Sequence, residues 1–296
     1  MTQRNTTQRN GRHLVITGAS SGIGAAAALA LAEDGWTVHA CARRPEPIRE
    51  MLGERGHAYR CDVGDEDEVA AFAAAVRAVT PAVHALVNCA AAFGAIGAVG
   101  EVPPREWLDG LRVNLGGTYF CIHHFLPLLK AAAPEPASIV NFSGGGFNPM
   151  PNYSGYVVSK AGVVRLTETL AAELAPLGIR VNALAPGFVA TAIHDKTLAA
   201  GPGQAGSGYF EETRRKLRDG AVPIEVPVSC LRYLLSPSCA LSGKIVSASF
   251  DPWPSGVFEE QAEALAASDL YTMRRINLVN LPASPLTEAI AQAGRR

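Results

Sequence analysis

The chain has 296 residues and a formal net charge of −1 at pH 7, with 48% hydrophobic and 18% charged residues. A charge so close to neutral gives no electrostatic reason to expect nucleic acid as a partner. No apolar run reaches the roughly 18 residues that a membrane-spanning helix needs, so no membrane partner is expected either.

The N-terminus and the cysteines favour a cytoplasmic protein. Residues 1–12 are polar and basic and lack the apolar core of a secretory signal, so they are predicted to form a disordered tail. The six cysteines form no C-x-x-C pair and no spacing typical of a metal site. We therefore expect reduced thiols in the protein core and no bound metal.

A strand, a glycine-rich turn and a helix open the predicted fold. Residues 13–17 form an apolar strand, residues 18–24 read G-A-S-S-G-I-G, and an alanine-rich helix precedes a second strand over residues 36–42. Glycines allow a tight turn, and the helix start directs free N–H groups at an anion such as a pyrophosphate. The pattern predicts a dinucleotide-binding βαβ unit.

Strands and helices continue to alternate after this unit. Further strands are predicted over residues 57–63, 84–90, 137–142 and 179–185, with helices over 65–79, 103–133 and 156–175. The strands are nearly continuous apolar runs, which is typical of a parallel sheet covered on both faces. We predict an α/β fold, a Rossmann-type doubly wound parallel sheet in three layers (α/β/α) with a C-terminal extension.

The regular pattern stops at residue 190. Residues 190–228 contain a glycine-rich segment expected to be flexible, 201–208, and a charged helical segment, 209–218. We predict a substrate lid here, with a solvated surface insertion as the alternative. A helix over 228–235 and a strand over 244–250 complete a main domain of residues 13–252. Residues 253–296, with a helix over 256–267, are predicted to pack on the core or on a neighbouring subunit.

Tyr156 and Lys160 lie four residues apart on a predicted helix, so their side chains share one face. An ammonium group beside a phenol favours the phenolate and lowers its pKa. Ser143 follows the strand over residues 137–142 and could donate a hydrogen bond to a substrate oxygen. The three residues predict a proton-transfer site, although a Tyr/Lys pair at this spacing also occurs by chance in many helices.

From residue 14 to about residue 246 the chain resembles the compact branch of the short-chain dehydrogenase/reductase family. The resemblance rests on T-G-A-S-S-G-I-G at 17–24, C-D-V at 61–63, N-C-A-A at 88–91, R-V-N-L at 112–115, the Tyr/Lys pair and P-G-F-V-A-T at 186–191. It implies hydride transfer between a nicotinamide cofactor and a carbon bearing a hydroxyl or carbonyl. It also implies a catalytic tetrad of Asn114, Ser143, Tyr156 and Lys160, with Tyr156 as general acid or base.

The chain departs from the family pattern at two places. In N-C-A-A, Cys89 and Ala91 replace the usual asparagine and glycine, which should cost little because this motif mainly stabilises the central strand. S-G-G-G at 143–146 is one residue short of a common family version. Counting back from Tyr156 selects Ser143, whereas counting along the strand selects Gly144. We select Ser143 because no other hydroxyl follows this strand closely.

The choice of cofactor can be argued from charge at the end of the second strand. An acidic residue there would bind the ribose hydroxyls of NAD, but this chain has Arg43 and Arg44. We therefore predict NADP(H) over NAD(H), with a solvated arginine pair as the alternative reading. The expected cofactor-binding residues are Gly18, Ser20, Ser21, Gly22, Ile23, Gly24, Arg43, Arg44, Asp62, Val63, Asn88, Ala90, Tyr156, Lys160, Pro186, Gly187, Val189 and Thr191.

The substrate is less well defined than the reaction. The candidate pocket residues are Phe93, Ser143, Phe147, Met150, Tyr153, Phe188 and His194, with Tyr209 of the lid as a further candidate. They suit a small polyol, either cyclic or open-chain, a sugar-like compound or a ketone. We therefore predict an NADP-dependent oxidoreductase that acts on a compound of this kind. The alternatives are a nicotinamide-binding sensor or scaffold without turnover, and an epimerase or dehydratase, whose glycine spacing is usually G-x-x-G-x-x-G. The helix that carries Tyr156 is apolar around much of its circumference, which favours a homodimer or homotetramer.

Overall fold

A computed structural model describes residues 11–144 and 148–274 of the chain. Within these ranges, seven parallel strands form one sheet in the order β3-β2-β1-β4-β5-β6-β7. The strands are β1 (His13–Thr17), β2 (Thr37–Ala42), β3 (Gly56–Arg60), β4 (Ala85–Asn88), β5 (Ala137–Phe142), β6 (Ile179–Ala185) and β7 (Ile245–Ser247). The strand order reverses between β1 and β4, and ligands of doubly wound sheets bind at the carboxyl ends of the strands at such a point.

Helices cover both faces of the sheet, so the predicted three-layer Rossmann-type fold is confirmed. The helices are α1 (Gly22–Glu33), α2 (Glu46–Leu52), α3 (Glu66–Arg77), α4 (Pro104–Leu111), α5 (Gly117–Lys130), α6 (Ser154–Leu174), α7 (Asp195–Ala205), α8 (Ser207–Asp219), α9 (Glu225–Leu235), α10 (Val257–Glu260) and α11 (Ala262–Ala266). A π-helical turn, Arg112–Gly116, joins α4 to α5 inside the single helix predicted over residues 103–133. None of the described helices is long and apolar enough to cross a membrane.

Two apolar cores lie on opposite faces of the sheet. Leu14 and Ile16 of β1 belong to the core that also contains residues of α1 and α9. Val15, between them, belongs to the core under α3, α5 and α6. Successive side chains of a strand point to opposite faces, so the continuous apolar run of β1 fills both cores.

The described part of the C-terminal extension packs on the core of its own chain. Phe258 and Leu265 are buried in the same core as α1 and α9. The buried Lys244 donates hydrogen bonds from Nζ to the carbonyls of Ser268 (2.7 Å) and Leu270 (3.1 Å). The N–H of Ile245 donates to the carbonyl of Tyr271, so the extension pairs with the edge strand β7. Residues 1–10 and 275–296 lie outside the described ranges, and the expectations for them stay predictions.

Most of the glycine-rich segment 201–208, for which the sequence predicts flexibility, is helical. Helix α7 continues to Ala205 across a kink at Gly201, where φ is 70° and ψ is 172°. Gly206, with φ of 80°, then separates α7 from α8. Glycine adopts these positive φ values without steric cost, so the two glycines allow sharp turns between helical pieces.

Candidate active site

The glycine turn between β1 and α1 forms a cradle of bare backbone. A Cβ at Gly18, whose φ is +69°, would lie 2.6 Å from Cα of Ala90. A Cβ at Gly24 would lie 2.4 Å from the carbonyl oxygen of Gly18. Any side chain at either position would therefore collide with the chain, and the turn can lie directly against the end of β4 only because these residues are glycines.

Thr17 holds the end of β4 against this turn. Its buried hydroxyl accepts hydrogen bonds from the backbone N–H groups of Cys89 and Ala90, both at 3.1 Å. Thr17 is not among the residues that the sequence predicts for the site. The signal in the sequence is weak, a hydroxyl at the last position of a strand that leads into a glycine turn.

The start of α1 and the end of β2 flank the cradle. Ser21 precedes the helix in an extended conformation and makes no side-chain capping bond. The first N–H groups of a helix lack partners within the helix, so those of α1 are available to an anion. Arg43 and Arg44 follow β2 directly and are exposed. The predicted residues Ser20, Gly22 and Ile23 lie in the same turn.

Asp62 lies after β3 near the same edge of the sheet. Its Oδ1 accepts a hydrogen bond from the N–H of Gly64 at 2.9 Å, and its own N–H donates to Oε2 of Glu68 at 2.8 Å. Val63 beside it is buried. These bonds fix the backbone of C-D-V and hold the aspartate, an expected cofactor-binding residue, in a half-buried position.

Asn88 belongs to a buried polar chain that joins β4, β5 and α6. Its Nδ2 donates to Oδ1 of Asn141 at 2.9 Å, and Nδ2 of Asn141 donates to Oγ1 of Thr167 at 2.9 Å. Oδ1 of Asn88 has no hydrogen-bond partner among the described residues. The side chain of Asn88 therefore lies inside the protein, where it ties the two central strands to the helix of Tyr156.

Asn114 lies in the π-helical turn and is 1% exposed. Its Oδ1 accepts from the N–H of Ala92, and its Nδ2 donates to the carbonyl of Ala92 and to Oγ of Ser159, all between 2.8 and 2.9 Å. Oγ of Ser159 in turn donates to the carbonyl of Tyr156. Asn114 thus connects the loop after β4 to the first turns of α6.

Lys160 is 2% exposed and faces the end of β5. Its Nζ donates to the carbonyl of Phe142 at 2.8 Å. Burial lowers the pKa of Lys160 to about 8, and the nearby Cys89 opposes this effect. Oγ of the buried Ser143 makes a long hydrogen bond of 3.4 Å to the carbonyl of Lys160. The structure therefore brings Ser143 and Lys160 together, as the sequence predicts.

Tyr156 is half-buried one turn before Lys160, but its environment differs from the predicted one. Nζ of Lys160 lies 5.9 Å from the ring centroid, because it is bound to the carbonyl of Phe142. Burial, and then the nearby Tyr209, raise the pKa of Tyr156 above the usual value of a phenol. A phenol whose pKa is raised in this way holds its proton more tightly than a free phenol does.

Aromatic residues enclose Tyr156 on the side of α7 and α8. The ring of Phe93 meets that of Tyr156 edge-on at 4.7 Å between centroids, and that of Tyr153 at 5.3 Å. The hydroxyl of Tyr153 donates to Oγ1 of Thr197 in α7 at 2.9 Å. Since Phe93 is 2% and Tyr153 0% exposed, both belong to a closed cluster with residues of α7 and α8 instead of lining open space. Met150 packs against the same cluster. Phe147 lies outside the described residues.

The segment after β6 returns to the glycine cradle. Gly187, with φ of +79°, has no room for a Cβ, which would lie 2.6 Å from Oγ of Ser249. A side-chain atom of Thr191 lies 3.0 Å from the Cβ position of Gly22. Phe188 stacks on His194 with 4.0 Å between ring centroids. Pro186 and the buried Val189 belong to the same segment, so it closes the space between the cradle and the aromatic cluster.

Comparisons with known proteins agree with this arrangement. A family model described as short chain dehydrogenase matches residues 12–200. A putative ketoacyl reductase of Streptomyces coelicolor is 38% identical over 184 residues, which cover 60% of this chain and 70% of that protein. The solved structure of an actinorhodin polyketide ketoreductase with NADPH is 29% identical, with a TM-score of 0.71, over 81% of this chain and 96% of that one. A 3-ketoacyl-(acyl-carrier-protein) reductase of Brucella melitensis complexed with NADH is 27% identical, with a TM-score of 0.71, over 80% and 96% of the two chains.

Proposed function

The chain belongs to the short-chain dehydrogenase/reductase family, and from this premise we propose that it transfers a hydride between NADP(H) and a carbonyl or secondary alcohol. The substrate is a small ketone, a sugar-like compound or a polyol, either cyclic or open-chain. The observation that carries the proposal is the position of Tyr156. The phenol is half-buried and one helical turn before a buried lysine, and the segment after β6 joins its aromatic cluster to the glycine cradle.

The residues present fit a dinucleotide. A Cβ at Gly18 or Gly24 would collide with the backbone, so these glycines allow the tight turn that precedes α1, and the first N–H groups of α1 suit a pyrophosphate. Asp62, Val63 and Ala90 would border the adenosine side, whereas Lys160 and the segment 186–191 would border the nicotinamide side. When bound, the cofactor supplies or accepts the hydride.

The preference for NADP(H) rests on Arg43 and Arg44. Both are exposed directly after β2, where their guanidinium groups can bind a 2′-phosphate. The family alone does not decide, because the two solved relatives carry NADPH and NADH. We expect Arg43→Ala to raise KM for NADPH about tenfold or more, the usual scale for losing a charge-assisted hydrogen bond. KM for NADH should not change, and Arg49→Ala on the exposed face of α2 serves as the control.

The proton moves through Tyr156 in this proposal. During reduction, its phenol donates the proton to the substrate oxygen as negative charge develops there. Oγ of Ser143 donates a hydrogen bond to the same oxygen, and its long 3.4 Å bond to the carbonyl of Lys160 is weak enough to be exchanged. Lys160, with a pKa of about 8, is mostly cationic at pH 7, and its charge stabilises the phenolate that forms on Tyr156 after the proton is transferred.

The function is tested by oxidation of NADPH over a panel of carbonyl compounds. We would assay cyclohexanone, ethyl 3-oxobutanoate and a ketohexose with wild-type protein, Tyr156→Phe and Tyr119→Phe, in which Tyr119 is a half-exposed surface tyrosine. Turnover that Tyr156→Phe abolishes and Tyr119→Phe retains supports the proposal. Binding of NADPH with no reduction or oxidation of any compound would favour a sensor. Redox-neutral conversion of a sugar would favour an epimerase or dehydratase.

The predicted organisation of the chain belongs to the same proposal. We propose a main domain over residues 13–252, a lid over 190–228 and an extension over 253–296, in a cytoplasmic homodimer or homotetramer. Exposed apolar side chains on two helices, Leu108 and Val158, support self-association. Light scattering during size-exclusion chromatography measures the state directly, and a monomer at micromolar concentration would contradict it.

A further inference from the structure

A cavity of about 480 Å³ lies at the carboxyl ends of β6 and β7. It is bordered by Gly144, the residue directly after Ser143, and by Gly187 of the segment after β6. Other lining residues follow β7 in the chain or belong to the extension, namely Phe250, Asp251, Tyr271 and Thr272. The cavity therefore adjoins the residue proposed to hold the substrate oxygen, and none of these four side chains has a part in the proposed cofactor contacts or proton transfer.

Asp251 is the one charged residue among the described residues that line the cavity. It is half-buried, and its Oδ2 accepts a hydrogen bond from the N–H of Ser247 at 2.6 Å. Within residues 11–144 and 148–274, no arginine, lysine or histidine forms an ion pair with this carboxylate. Arg274 of the extension pairs instead with Asp269 and Glu168. The cavity thus contains a negative charge that the described part of the chain does not neutralise.

The surroundings of this carboxylate favour a positively charged ligand. Burial raises the pKa of Asp251, and the N–H of Ser247 opposes this effect. Moving a charge out of water costs free energy unless an opposite charge accompanies it. A cationic group bound beside Asp251 would supply the missing opposite charge.

The other walls of the cavity suit an organic cation better than a hydrated metal ion. Ala185 and Ile245 supply apolar surface at the ends of β6 and β7. Phe250 is 88% exposed, although it is a large apolar side chain, and the ring of Tyr271 is held edge-on against Phe258 with 5.1 Å between centroids. Aromatic rings attract ammonium groups, and apolar walls accept the carbon atoms that these groups carry.

We propose that this cavity binds a protonated amine of the substrate, with Asp251 as its ion-pair partner and Phe250 and Tyr271 against its alkyl groups. The proposal rests on the proposed function and narrows its substrate to carbonyl compounds, or the corresponding alcohols, that carry a basic amino group. Because the cavity borders the residue directly after Ser143, the amine lies a few bonds from the carbonyl in a compact molecule.

Two ketones of nearly the same shape measure the contribution of the charge. 4-(Dimethylamino)cyclohexanone is protonated at pH 7, as a lysine side chain is, whereas 4-isopropylcyclohexanone is neutral. With NADPH, we expect kcat/KM to be about tenfold or more higher for the amine, the scale of a charge-assisted hydrogen bond. Asp251→Asn keeps an oxygen for the N–H of Ser247 but removes the charge, so it should lower this ratio about tenfold. Asp109→Asn, on the exposed surface of α4, is the matched control and should keep the wild-type ratio.

Calorimetry measures the same site without turnover. N,N-dimethylcyclohexylamine would be titrated at pH 7 into the full chain saturated with NADPH. We expect saturable binding that Asp251→Asn weakens about tenfold or more and Asp109→Asn leaves unchanged. Phe250→Ala should weaken it about two- to fivefold, the scale of a cation–π contact at an exposed site.

The outcomes separate this inference from the proposed function. If both ketones are reduced and the ratio is the same in the wild type and Asp251→Asn, the proposal is overturned and the proposed function stands. If no carbonyl compound or alcohol is turned over, the proposed function fails, and calorimetry alone decides whether the cavity binds an ammonium group. Absence of saturable binding, or binding that Asp251→Asn leaves unchanged, overturns the ammonium site.

Discussion

Replacement of Gly18 by alanine should damage both the fold and the cofactor site. The new Cβ would lie 2.6 Å from Cα and 2.8 Å from N of Ala90, whose backbone Thr17 holds in place. The positive φ of +69° adds roughly 1–2 kcal/mol for a residue with a Cβ, and the steric overlap adds about 1–3 kcal/mol. We therefore expect the free energy of unfolding to fall by about 2–5 kcal/mol, a large part of the usual 5–15 kcal/mol.

Gly178 provides a matched control for this prediction. Its φ is +68°, almost the same as that of Gly18, but no atom lies within 4 Å of a Cβ placed there. Gly178→Ala should therefore lose only the conformational part, roughly 1–2 kcal/mol. Urea denaturation followed by tryptophan fluorescence measures both losses, and titration with NADPH measures binding, which Gly18→Ala alone should weaken. Equal losses of stability and unchanged binding in the two variants would refute the close contact with Ala90.

Two other predictions concern regions away from the active site. His39 is fully buried between His13 and Tyr59, and burial, then His57 and His13, lower its pKa to about 3. An unfolded histidine has a pKa of about 6.5. The contribution of His39 to stability is therefore complete above pH 6.5 and is lost as the pH falls toward 3, by about 2 kcal/mol at pH 5. Equal urea midpoints at pH 7.5 and pH 5 would contradict this prediction. Lys244→Met removes two hydrogen bonds to the extension and should lower the free energy of unfolding by about 1–3 kcal/mol. The variant should also expose residues 268–274 to proteases. Proteolysis at the wild-type rate would show that Lys244 does not hold the extension.

The parts of the fold that sequence predicts best are those set by local rules. Apolar strands and a glycine turn depend on nearby residues, so β1, the tight turn and the start of α1 follow from residues 13–24 alone. The Tyr156/Lys160 spacing likewise places both residues on one face of α6. A hydroxyl that bridges two strands, such as that of Thr17, depends instead on a residue about 70 positions away along the chain and has no local pattern.

The environment of Tyr156 could not be predicted from its spacing to Lys160. The helix fixes the position of the lysine backbone, but the hydrogen bond to the carbonyl of Phe142 fixes the position of its ammonium group. The aromatic enclosure comes from Phe93 and from Tyr209 of α8, which are distant in sequence from Tyr156. Burial can thus raise a pKa that a neighbouring positive charge was expected to lower. The π-helical turn at Asn114 is also invisible in the amphipathic pattern of a single long helix.

Transfer of deuterium from NADPH to the product tests hydride transfer and the role of Tyr156 most directly. Wild-type protein would be incubated with cyclohexanone and NADPH that carries deuterium at one face of nicotinamide C4, and the alcohol product would be analysed by mass spectrometry. We expect transfer of the label to the carbinol carbon from one face only, and loss of this transfer in Tyr156→Phe while NADPH binding is kept. Transfer at the wild-type rate in Tyr156→Phe would contradict the central claim that Tyr156 is the proton donor.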